Sequence, residues 1–137
     1  MTLNSNPGET ATQVVGMIAA LSHIDSAGFH GIDTELRGES PTIDEFWSSR
    51  ARAAQIAAAS ISWPDELRPQ AKSFSDAAGR LAAALSAGDA KAAAHPAREA
   101  HAAWHTLNTP AWSYLAKTAG LQKAGDTNQH QHQHQAP

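Results

Sequence analysis

His101 and His105 stand four residues apart in an alanine-rich run from Ala92 to Trp104. Alanine favours helix and carries no chemistry of its own. On a helix, residues at i and i+4 share a face, so both imidazoles can reach one ion or one ligand. The pair suits a transition metal such as Cu, Ni or Zn. The residues between them are Ala102, Ala103 and Trp104. The glutamate that would make an HExxH zinc-protease helix is therefore missing.

A second donor comes from the first apolar segment. Its inward arc collects Val14, Met17, Ile18, Leu21 and Ile24, with His23 nearly opposite. The arc of the last long helix collects Ala93, Ala97, Ala100, His101 and Trp104, with His105 at its edge and His95 pointing away. Counted from the helix ends, antiparallel packing predicts Met17 and His101 at similar depth. A thioether facing an imidazole can hold a haem iron from both sides, and the same two groups suit copper. The pairing resembles that of b-type cytochromes built on four-helix bundles, which implies haem held by Met17 and His101. Arg50 falls inside the apolar arc Ile43, Phe46, Trp47, Ala53, Ala54, Ala57 and Ile61. That position predicts a buried guanidinium, which needs Asp25, Glu99 or the carboxylate of a ligand to offset its desolvation. The candidate cofactor-binding residues are thus His101, Met17 and Arg50, and the candidate metal ligands His101 and His105.

The segment after the first helix adds His23, Phe29, His30, Asp33 and Glu35. With His95 and Glu99 these could gather at one end as a second, more exposed site of nitrogen and oxygen donors. Other chemistries find no support. No Glu-x-x-His motif exists for a di-iron site. His105-Thr106-Leu107 runs into Asn108, Thr109 and Pro110, without the lysine and glycine of a histidine-phosphotransfer helix. No nucleophile–base set, phosphate loop or carboxylate pair is legible.

Four helices must position these residues. The first is predicted over residues 10–27, with Thr10 and Gln13 as a capping box and Gly28 as its stop. A loop of about fourteen residues follows, long for a helix–helix connection. The second helix opens with Thr42-x-x-Glu45 and runs to about Ile61. Trp63-Pro64 breaks the chain, and the third helix starts at Pro64 or near Pro69 and ends at Gly88. Asp89 caps the fourth, residues 90–108, and Thr109-Pro110 opens a short extension, residues 111–119. No sustained alternation suggests strands. The expected fold is all-α: an antiparallel four-helix bundle, up-down-up-down, with a short C-terminal helical extension.

The 137 residues suit one domain: a flexible start over residues 1–9, the bundle over 10–120, and a tail over 121–137. Gln129 to Gln135 alternates glutamine with histidine. It has no apolar face, and reads as a disordered tract or a purification tag. The net charge is −3, with charges of both signs interspersed, unlike a nucleic-acid binder. No apolar run is long enough for membrane insertion. No cysteine is present, which excludes disulfides and thiolate sites without fixing a compartment. A mature periplasmic or secreted form and a cytoplasmic one are equally compatible with a soluble chain. The leading expectation is a non-enzymatic binding protein holding a transition metal or b-type haem. The alternative is a cofactor-free structural or protein-interaction module, with a homodimer or another protein as partner.

Overall fold

The computed structural model describes residues 7–120, and all regular structure among them is helical. The elements are α1 (Pro7–Ser26), α2 (Phe29–Leu36), α3 (Trp47–Ala59), a single 3-10 turn (Asp65–Leu67), α4 (Arg68–Ala87) and α5 (Ala90–Ala119). The histidine–glutamine tail lies outside the described residues. No helix among those described is long and apolar enough to cross a membrane.

The helix ends follow from local chemistry. Gly28 takes φ 77°, a left-handed conformation that costs glycine little, and the chain turns through it from α1 straight into α2. Gly88 does the same at φ 79° after α4. Asp89 then caps α5 by accepting the Ala92 N–H at 3.1 Å. The indole N–H of Trp63 donates to the Ala58 carbonyl at 2.7 Å, satisfying an orphan acceptor at the end of α3. Pro69 sits in the first turn of α4, where its missing N–H costs nothing.

Several expectations need correction. The long loop contains a helix: Phe29, Ile32 and Leu36 recur at helical spacing and are buried. The second capping box does not form. Both the N–H and the hydroxyl of Thr42 donate to the Glu35 carboxylate, at 3.1 and 3.2 Å. The N–H of Phe46 donates to Asp44 instead, and the helix starts only at Trp47. At the other end of the chain, Thr109-Pro110 does not open a separate segment. α5 runs through both Pro96 and Pro110. An interior proline costs about 3 kcal/mol, but Leu107, Ala111 and Leu115 around Pro110 are all fully buried. Two buried leucines contribute about 1.5–3 kcal/mol each, enough to hold the helix together across the lost bond.

The core is built of α1 apolar residues, the α4 stripe Phe74, Ala77, Ala78, Leu81 and Leu85, and the inward alanines of α3 and α5. Those alanines allow close approach of the helices. Phe74 is the hub, meeting Phe29 edge-on at 5.4 Å between ring centroids and Trp104 at 5.9 Å. Arg50 is not in this core. The buried face of α3 is Ala51, Ala54 and Ala58. Arg50 lies about 70° from the centre of that arc at 100° per residue. It is exposed, as are Asp25 and Phe46. Glu99 pairs instead with Arg80 and His95.

Candidate functional site

The site forms where α2 crosses the first half of α5. Phe29, Ile32 and Leu36 anchor α2 on the core, and the same face carries Asp33 inward. Asp33 is 4% exposed and is the one buried charged residue among those described. A buried carboxylate loses several kcal/mol of hydration unless it is paired. Its Oδ2 accepts a hydrogen bond from Nδ1 of His101 at 2.8 Å. Its Oδ1 makes no hydrogen bond. Nε of Arg37 stands 3.4 Å from that oxygen as an ion pair, with its side chain half exposed.

This pairing sets the chemistry of His101. With Nδ1–H committed to the carboxylate, Nε2 is left to face outward, and the ring is held in one orientation. The outward partner is His105: the two Nε2 atoms are 3.0 Å apart. A single proton between them makes a hydrogen bond. A metal ion in its place would be ligated by both. His101 is mostly buried, with 15% of its side chain exposed, while His105 is open to solvent. His30, one turn before Asp33 on α2, places its ring edge-on to His101 at 5.1 Å between centroids. The His101 and His105 rings are 4.7 Å apart. Among the described residues no group of three His, Cys, Asp or Glu side chains is placed to hold a metal ion.

His101 and His105 are therefore brought together. Met17 and Arg50 are not part of this cluster. Met17 is fully buried in the core. Gln13, one turn earlier on α1, accepts a hydrogen bond from Tyr114 at 3.4 Å. That contact sets this part of α1 against the far half of α5, whereas His101 faces α2. His23 and His95 are exposed as their helical phase predicts, and His95 pairs with Glu99.

Asp33 and His30, which border His101, lie on α2, in the segment that the sequence pattern reads as a loop. The signal was present: Phe29, Ile32 and Leu36 between Gly28 and Gly38 form a short amphipathic helix. Asp33 falls at i+4 from Phe29, on the same face. A comparison with known protein families, with characterised proteins and with solved structures finds no match for this chain.

Proposed function

We propose that this protein is a small helical module that binds a divalent transition metal through Nε2 of His101 and Nε2 of His105. Asp33 is the outer carboxylate that orients His101. The observation that carries the reading is the 3.0 Å separation of the two Nε2 atoms. With metal–nitrogen bonds of ~2.05 Å, that separation subtends about 94° at a shared ion. The angle suits the tetragonal geometry of Cu(II) or Ni(II) better than tetrahedral zinc. A carboxylate on the far nitrogen of a metal-binding histidine raises its basicity and fixes its tautomer. Haem is the weaker form of this reading, because His101 faces Asp33, His30 and His105 rather than Met17.

In the same reading α1, α3, α4 and α5 form an up-down-up-down bundle with α2 laid across one end. The contacts of successive helices run in opposite order. Ser48 meets Ala82 and Gln55 rests on Gly79; Phe74 meets Trp104 and Arg80 meets Glu99. Just past the end of α3, Ser62 accepts a hydrogen bond from Gln13 of α1, and Ile61 faces Gly16.

A thermal-shift series tests the function. The full chain should carry H130N, H132N and H134N, so that the tail cannot bind the ion. Saturation at 100 times Kd adds about 2.7 kcal/mol, which should raise Tm by several degrees in Cu(II) or Ni(II). An unchanged Tm would remove the proposal.

One observation favours a second reading, a cofactor-free interaction module. Val15 and Ile56 are more than half exposed. Ile56 lines an apolar groove with Gly16, Ala20, Ala53 and Ala57. Sedimentation of the metal-free chain tests it, with a dimer as the expected result under that reading.

A further inference from the structure

We infer that the cleft between the start of α1, the link from α3 to α4 and the last turns of α5 binds a neutral saccharide. The cleft is a cavity of about 1030 Å³, at the upper end of the ~300–1,000 Å³ that small-molecule sites occupy. Neither His101 nor His105 lines it. Three elements converge on Gln13, which is partly buried. Its Nε2 donates to the Ser62 carbonyl at 3.0 Å, and its Oε1 accepts from the Tyr114 hydroxyl at 3.4 Å. The amide is held in one orientation by these two bonds. An amide has two N–H groups and two lone pairs, so one of each is left to meet a ligand.

The lining selects the class of ligand. Thr12, Ser60, Ser62 and Thr118 bring hydroxyls, which donate and accept alike. Tyr114 brings an aromatic ring, an apolar body with a polar tip. Among the described residues Glu9 is the one charged side chain of the lining, and no lysine, arginine or histidine stands there. A phosphate or carboxylate ligand would meet a like charge and no cation, which disfavours anions. A purely apolar ligand would strip water from the hydroxyls without replacing their hydrogen bonds. A saccharide meets both demands. Its hydroxyls exchange hydrogen bonds with the lining, and its C–H face packs on an aromatic ring. Thr12, Ser60, Ser62 and Thr118 are exposed, so the ligand enters directly from solvent. Each new bond replaces one to water and gains little, which sets the affinity in the millimolar range.

The test is a nuclear magnetic resonance titration of the full chain with maltose and with cellobiose. Maltose 1-phosphate and tetramethylammonium serve as counter-probes of either charge. At least one neutral disaccharide should bind with Kd of ~1 mM or tighter. The amide shifts should concentrate in residues 8–16, 60–62 and 114–118. Gln13→Ala should weaken binding about 10-fold, and Thr118→Val about 2- to 10-fold, the worth of one hydrogen bond. Thr118→Val changes an exposed side chain at nearly constant shape, so its effect is read on a folded protein. The shift map of the parent depends on neither variant. No shift at ~10 mM of either disaccharide, or shifts centred elsewhere, would overturn the inference. So would tighter binding of the phosphate or the cation, or unchanged affinity in both variants.

Discussion

The Nδ1–H of His101 points at Oδ2 of Asp33 across 2.8 Å, a contact that joins residues 68 positions apart in sequence. It couples a short helix to a long one, and it gives one histidine of an ordinary-looking HxxxH pair a fixed orientation. Among the described residues the other histidine, His105, has no such anchor and is held through His101.

That asymmetry should appear in stability. His101→Ala leaves the Asp33 carboxylate buried without its donor. Breaking a fully buried pair costs about 3–5 kcal/mol. Here Arg37 and solvent at the rim reduce the loss to about 2–3 kcal/mol. His105→Ala removes an exposed ring and should cost no more than ~0.5 kcal/mol. Urea denaturation of the metal-free variants measures both. Equal losses would mean that the Asp33 contact does not hold α2.

Arg50→Ala should be nearly silent, within ~0.5 kcal/mol of the parent. The side chain is exposed, and no ion pair is recorded for it among the described residues. A loss of several kcal/mol in the same denaturation experiment would restore the buried guanidinium that the sequence pattern suggested.

Phe74→Ala should be severe. The ring is fully buried and bridges Phe29 of α2 to Trp104 of α5. A cost of about 3–5 kcal/mol is expected for a core phenylalanine. Near-ultraviolet circular dichroism should change with it, because Trp104 loses its neighbour. A mild effect would mean that the aromatic cluster is not the hub of the core.

Met17→Leu separates the haem reading from the metal one. A shape-conserving swap in the core should cost under ~1.5 kcal/mol, and metal affinity should stay within twofold of the parent. Loss of metal or haemin binding in this variant would put Met17 back in the ligand set.

Much of this was legible in the sequence, and the limits have physical causes. The all-helical fold, the stops at Gly28 and Gly88 and the Asp89 cap follow from local rules. The inward phase of His101 and the outward phase of His23 and His95 follow from long, regular helices. Arg50 was misplaced because α3 is mostly alanine. With so little contrast between its faces, a small error in phase moves a side chain from core to water. α2 was missed because eight residues give barely two turns of periodicity. Asp33 looked like a loop carboxylate for the same reason. Its partner lies on another helix, and no local pattern reports such a contact.

The central claim is that two imidazole nitrogens 3.0 Å apart share one metal ion. Calorimetric titration with Cu(II) and Ni(II) tests it most directly, on the full chain carrying H130N, H132N and H134N. At pH 7.5 one ion should bind per chain, with Kd tighter than ~10 μM, about −7 kcal/mol. H101A and H105A should each lose most of the affinity, and H95A should lose none. Binding weaker than ~100 μM, or affinity that survives H101A, would contradict the account.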